Sequence, residues 1–362
     1  MRAIFLVIAF LTFHTNAQTN FCPELTKFFQ PPSTNTGKYS SLLKFENGAE
    51  VKSAADWQRR RTEMKAIWEK HIGEWPPLLT NNRVRILETT NRENFIQHKI
   101  EITVAQNLTN IGYLLLPKTK APHPAVVIPF YEPETSIGLG KSALRAFALD
   151  LTRRGFVTLS IGSPGGDARA PELAGAKCQP LHFLGYIAAN CRLAVANHPE
   201  VDPKRIGIVG HSYGGKWAMF ASCFDENFAC AVYSDPGIVF DEARSNVNYW
   251  EPWYLGKDPN QTRKPGVVTA QNARTGPYRE LFTSGHDLHE VLALMAPRPF
   301  LVSGGSEDQT ERWEPLNRVR EVYDLLKAPN RVGMTNRPNH DPTEESNQQI
   351  YQFFECVLKA GK

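Results

Sequence analysis

Hydrophobic and polar positions divide the chain into two regimes. From 125 onward, short, mainly apolar segments recur at 125–130, 156–161, 206–209, 229–233, 299–302 and 331–335, the first of them a continuous apolar run. Between them, apolar residues return every three or four positions. The runs read as strands buried on both faces, the spaced segments as helices, and their alternation as a parallel sheet covered on both sides. The predicted helices cover 141–154, 180–196, 214–224, 287–294, 316–326 and 342–358. Ahead of this block, 84–88 and 96–104 alternate apolar with polar, and with 111–116 they predict antiparallel strands at the leading edge. A helix starting at Ser53 carries Trp57, Met64, Ile67 and Trp68, and stops at Gly73 and Pro76-Pro77. Its Arg59, Arg60, Arg61 and Lys65 read as a solvated face. Residues 18–55, rich in Pro, Ser, Thr and Asn, read as a polar extension pinned by Phe21, Phe28 and Phe29. No repeat or internal linker interrupts the rest. The expected organisation is an N-terminal extension and leader helix over 18–90 and one α/β domain over 91–362, with an insertion at about 236–279.

Residues 1–17 carry Arg2, an apolar run from 3 to 13 and Thr15-Asn16-Ala17. This is the pattern of a signal peptide cleaved near Ala17, so the chain is expected to be secreted or periplasmic, with no membrane span once mature. A net charge of +4 on 362 residues gives no reason to expect a nucleic-acid partner. Six cysteines in an exported chain are compatible with disulfides, although spacing does not pair them. Cys223 and Cys356 lie in apolar patterns and read as buried free thiols. No C-x-x-C occurs. Asn107-Leu-Thr109 and Asn260-Gln-Thr262 are glycosylation sequons.

The richest chemistry lies in Gly210-His211-Ser212-Tyr213-Gly214-Gly215-Lys216. A G-x-S-x-G sequence between a buried strand and a small-residue helix predicts a sharp turn that lifts the Ser212 hydroxyl clear of the sheet. Such a turn also directs the Tyr213 N–H toward a developing oxyanion. The nucleophile needs a base from the same sheet edge, and His340, between the last strand and the last helix, is placed to supply it. His211 is a weaker candidate because neighbouring side chains on such a turn diverge. His286 and His289, with Asp287 and Glu290, read as helix-lining groups and not as a metal site. The expected acid is Asp308, delivered by the glycine turn after strand 299–302. Glu307 is the neighbouring alternative, and Asp235 the less usual one.

The second oxyanion donor is expected from the loop after 125–130, from the Tyr131 N–H or hydroxyl. The insertion carries Tyr249-Trp250-Glu251-Pro252-Trp253-Tyr254, flat surfaces that suit sugar stacking at Trp250 and Trp253 and equally suit packing of the insertion itself. Arg169, with Asp167 and Lys177 in the loop after Ile161, offers a guanidinium suited to a carboxylate, and taken singly each reads as plain surface.

From about Trp57 to the C-terminus, GHSYGGK, the glycine turn before Asp308 and the loop histidine His340 resemble the α/β-hydrolase superfamily. The resemblance implies an α/β-hydrolase fold, mostly parallel with helices on both faces, an N-terminal extension and a lid insertion. It extends to the dienelactone-hydrolase and prolyl-oligopeptidase-like proteins. More narrowly, the chain is similar to secreted carbohydrate esterases: acetyl xylan esterases, pectin methylesterases and glucuronoyl methylesterases. It implies a serine esterase acting on an ester-bearing carbohydrate, with no cofactor and no metal. In the glucuronoyl methylesterases the motif is G-x-S-R-x-G-K, with the arginine on the oxyanion and the lysine on sugar hydroxyls. Lys216 matches that lysine, whereas Tyr213 replaces the arginine. The alternatives are a prolyl-oligopeptidase-like peptidase, for which no propeller-sized segment is present, and a non-catalytic binding protein.

Overall fold

Residues 22–243 and 249–359 are described by a computed structural model; the leader over 1–17 and Phe21 lie outside them. The described residues form one nine-stranded sheet: β1 (Val84–Asn91), β2 (Phe95–Ala105), β3 (Leu108–Pro117), β4 (His123–Pro129), β5 (Val157–Ile161), β6 (Val201–His211), β7 (Cys230–Ser234), β8 (Phe300–Gly304) and β9 (Val332–Asn336). Their spatial order is β1-β2-β3-β5-β4-β6-β7-β8-β9. The first three strands and the β3–β5 contact are antiparallel; from β5 through β4 to β9 all neighbours are parallel. β4, β5, β7 and β8 are buried throughout, as strands covered on both faces must be.

The helices are α1 (Ala54–Ile72), α2 (Pro133–Ser136), α3 (Phe147–Arg153), α4 (Pro180–Ala196), α5 (Tyr213–Phe224), α6 (Gly276–Thr283), α7 (His289–Ala293), α8 (Trp313–Leu325) and α9 (Glu344–Lys359). One core gathers Trp57 and Trp68 of α1, Tyr186 of α4, Trp217 of α5 and Leu316 of α8. The other packs Phe147 and Leu151 of α3 against Phe353 and Phe354 of α9. Each fully buried Phe or Leu contributes about 1.5–3 kcal/mol.

α1 starts at Ser53, whose hydroxyl accepts from the Asp56 N–H at 3.1 Å, and ends at Gly73, at φ 81. Its arginines are not the solvated face expected. Arg59 is exposed, but Arg60 is buried against Glu46 and Glu63, and Arg61 ties α1 to Glu226 and to the Leu294 carbonyl. The single helix expected over 141–154 is broken into a 3-10 turn, Ala143–Arg145, and α3. Arg145 there reaches out to Asp341 and over the Phe130 ring, so tertiary partners override the local periodicity.

A 3-10 helix, Pro23–Phe29, buries Leu25, Phe28 and Phe29 in the second core. A disulfide between Cys22 and Cys356 staples it to α9. Cys356 is therefore not the free thiol expected: apolar spacing marks its inward side, not the partner that meets it there. Cys178, Cys191, Cys223 and Cys230 are free and buried.

The chain steps from β4 outward to β5, then crosses back to lay β6 on the other flank of β4. The loops after β4 and β6 therefore diverge at the C-terminal edge of the sheet and open a crevice there.

Candidate active site

Between β6 and α5 stands one residue, Ser212, at φ 57 and ψ −119. A non-glycine residue keeps so strained a backbone only where its surroundings fix it. Here the Ser212 N–H donates to the Ser234 carbonyl at 2.8 Å, and the Lys216 N–H to the Ser212 carbonyl at 3.1 Å. Flanking glycines are steric necessities. A Cβ on Gly210 would sit 2.0 Å from the Gly214 carbonyl oxygen, and one on Gly214 would sit 2.2 Å from the Pro129 oxygen. Ser212 itself stays only half-buried.

His340 arrives from the loop between β9 and α9. Its Nε2 lies 2.8 Å from Ser212 Oγ, and its Nδ1 lies 2.7 Å from Asp235 Oδ2. Arg337 pins this loop, donating to the carbonyls of His340 at 2.6 Å, Asp341 at 2.8 Å and Ser303 at 2.7 Å. No sequence signature announces Arg337; its place three residues before His340 was the only hint.

Asp308, expected to hold the imidazole, does not face it. Its carboxylate accepts from the N–H groups of Gly237 and Ile238 at 2.8 and 2.7 Å. Asp235 Oδ1 in turn accepts from Gly305, Glu307 and Asp308 at 2.6, 3.1 and 2.9 Å. Each carboxylate thus caps the other's loop, and Asp235, at φ 51, turns its second oxygen, which the Glu307 N–H also approaches at 3.2 Å, to His340. Glu307 brings its N–H and not its carboxylate to Asp235. Burial, and then the nearby Asp235 charge, push the Asp308 carboxyl up to about 6.

His211 is buried, with its Nδ1 3.1 Å from Ser234 Oγ and its ring 4.7 Å from that of His340. Burial, and then the His340 ring, hold its pKa well below the usual imidazole value. It stays neutral and adds no positive charge beside His340.

As the first residue of α5, Tyr213 has no acceptor for its N–H within that helix. Among the described residues the Tyr131 N–H also has no hydrogen-bond acceptor. The Tyr131 ring stacks on Tyr213 at 5.0 Å. Burial raises the Tyr131 phenol pKa against the pull of the adjacent Ser212 hydroxyl, so the phenol keeps a proton to donate.

Two of the expected sugar contacts turn inward. Lys216 is fully buried, donates to the Pro236 carbonyl and lies over the Tyr249 ring at 4.4 Å. Trp250 is fully buried beside Arg263 and donates to Glu251 at 3.2 Å. The insertion spends most of its aromatic surface on its own packing, with Tyr249 and Tyr254 buried as well. Trp253 stays half-exposed over Tyr254 at 3.9 Å and beside Tyr213 at 5.3 Å. Arg169 is exposed on the 162–179 loop, where its charge acts on Tyr131. His286 bonds Glu290 of α7 at 2.9 Å, and His289 bonds the Ser40 carbonyl at 3.2 Å, which fastens α7 to the N-terminal segment.

The sheet order, the strained serine after β6 and the histidine after the last strand make the chain an α/β hydrolase in fold. Within that class its relatives are carbohydrate esterases of the glucuronoyl type. Residues 192–326 match the family described as glucuronyl esterase, fungi. A 4-O-methyl-glucuronoyl methylesterase of Sodiomyces alcalophilus is 21% identical over 305 residues, which cover 80% of this chain and 58% of the relative. The chain thus spans less than two thirds of that relative's length. Among solved structures, a glucuronoyl esterase from Solibacter usitatus superposes with a TM-score of 0.70 at 16% identity, covering 88% of this chain and 97% of that one. A promiscuous CE15 esterase from a marine bacterial metagenome gives 0.68 at 16% identity, covering 91% and 98%. At these identities the structural likeness is one of fold.

Proposed function

We propose that the protein is an exported serine esterase that hydrolyses carboxylic esters on carbohydrate. The observation that carries the reading is the pair of hydrogen bonds at His340, whose Nδ1–H donates to Asp235 Oδ2 at 2.7 Å and whose Nε2 accepts from the Ser212 hydroxyl at 2.8 Å. His340 Nε2 takes the Ser212 proton as Oγ attacks the ester carbonyl, and Asp235 stabilises the imidazolium that forms. The Tyr213 and Tyr131 N–H groups and the Tyr131 hydroxyl receive the oxyanion. His340 then gives its proton to the leaving alcohol, and water, deprotonated by the same imidazole, releases the acid and restores Ser212.

The relatives named for glucuronoyl methyl esters favour a uronate methyl ester, with a sugar acetyl ester as the second substrate. Trp253 offers a ring face to a sugar, and Arg169 is the exposed cation beside the site. Export is supported by the leader pattern and by the Cys22–Cys356 disulfide. Among the described residues no helix is long and apolar enough to cross a membrane.

Ser212→Ala should abolish turnover of p-nitrophenyl acetate while leaving the fold intact; full activity in that variant ends the reading. Methanol against acetate release from pectins, glucuronoxylans and acetylated xylans assigns the ester.

A further inference from the structure

Lys216 lies one turn along α5 from Ser212, and its ammonium is turned into the protein. It donates to the Pro236 carbonyl and faces the rings of Tyr249 at 4.4 Å and Tyr254 at 5.3 Å. Tyr249, from the insertion, donates its hydroxyl to the Gly237 carbonyl at 2.8 Å. Asp308 accepts the N–H groups of Gly237 and Ile238. Residues 236–238 follow Asp235 directly, so this segment is gripped on its carbonyls by Lys216 and Tyr249 and on its N–H groups by Asp308. The segment has reason to be held, since Asp235 at φ 51 and Gly237 at φ 78 both lie in the left-handed region. A Lys216 that swung out to a sugar would give up a buried hydrogen bond and two ring faces together.

We propose that Lys216 and Tyr249 are positioning residues for Asp235, tying the insertion to the triad, and that Lys216 is not a sugar contact. The inference rests on the esterase reading above. If 236–238 loosens, the Asp235 carboxylate drifts from His340 Nδ1, and the imidazole loses the group that sets its tautomer and stabilises its charged form. A displacement on the order of 1 Å at such a group costs up to about 100-fold in rate.

The test uses Lys216→Met and Tyr249→Phe in the full chain. Tyr249→Phe removes a single oxygen and serves if Lys216→Met does not fold. Turnover is measured on p-nitrophenyl acetate, which carries no sugar, and on the methyl ester of glucuronic acid. The rate of Ser212 labelling by a fluorophosphonate is followed against pH. Both variants should lower kcat about tenfold or more on both esters with KM nearly unchanged. Labelling should slow in parallel, with its acid limb moved to lower pH because the imidazolium is less stabilised. A loss confined to the glucuronate ester and seen in KM assigns Lys216 to the sugar and overturns the proposal; so does labelling at the wild-type rate in both variants. Failure of the wild-type protein itself to label ends the esterase reading, and the positioning role with it.

Discussion

An Asp235→Asn substitution changes one atom in kind and leaves the shape of the site alone. Oδ1 of Asp235 accepts three backbone N–H groups, those of Gly305, Glu307 and Asp308. The asparagine carbonyl oxygen must take that place, which turns its NH2 toward His340 Nδ1. An NH2 only donates, so Nδ1 must present its lone pair and the ring proton moves to Nε2, the atom that has to receive the Ser212 proton. Such a tautomer error in a triad lowers kcat by about 10,000-fold, or about 5 kcal/mol of barrier. Asp308→Asn leaves both bonds of His340 in place. One of the two N–H groups it now caps would face a donor, at a cost of about 1–3 kcal/mol in stability, and the disturbed loop should lower kcat only about tenfold. Steady-state turnover of p-nitrophenyl acetate, with melting measured by calorimetry on the same samples, compares the two. Should Asp308→Asn lose as much kcat as Asp235→Asn with its melting temperature unchanged, the assignment of the acid to Asp235 is refuted.

Reducing the Cys22–Cys356 bond, or replacing Cys22 by serine, should lower the melting temperature by about 5–10 °C with kcat unchanged, because the staple joins the N-terminal segment to α9 away from the triad; unchanged melting argues against the bond. Tyr131→Phe should lower kcat by about 100-fold if its hydroxyl meets the oxyanion, whereas unchanged kcat leaves the ring as a pocket wall. The bond to Glu290 raises the His286 pKa against the opposing effect of burial, while Glu290, against its own burial, is lowered by His286. The raised histidine stabilises fully below its unfolded value near 6.5 and loses this as pH rises through the folded value. The lowered carboxylate stabilises above its unfolded value near 4.5 and loses this as pH falls. The melting difference between wild type and Glu290→Gln should therefore be largest between about pH 5 and 6 and shrink above neutrality; a difference that grows toward pH 8 contradicts the linkage.

Strands β4, β5, β7 and β8 are readable from sequence because each is a short, mainly apolar segment whose burial on both faces leaves no alternation to confuse it with an edge, whereas β6 is buried throughout only from 206 to 211. The serine turn is readable for a steric reason: a side chain at 210 or 214 would collide with backbone, so the residue pattern records the geometry. His340 follows from topology alone, since the loop after the last parallel strand opens on the same edge. The direction of a side chain at a strand end is not recorded in this way. Asp235 and Asp308 follow adjacent strands and are both fully buried. Which of them meets His340 is settled by backbone amides contributed from the other loop, a tertiary fact with no local signature.

Lys216 and Trp250 illustrate the same limit from the other side. A lysine two residues past the G-x-S-x-G turn and a tryptophan in an aromatic insertion are the residue types that would meet a sugar. Each instead finds its partners inside the protein: a carbonyl and two rings for Lys216, and Glu251 and Arg263 for Trp250. Buried polar groups must be partnered somewhere, so a motif residue that is already satisfied internally has little left to offer a ligand. Among the residues expected to meet a substrate, Tyr131, Trp253 and Arg169 are the ones whose side chains are left accessible.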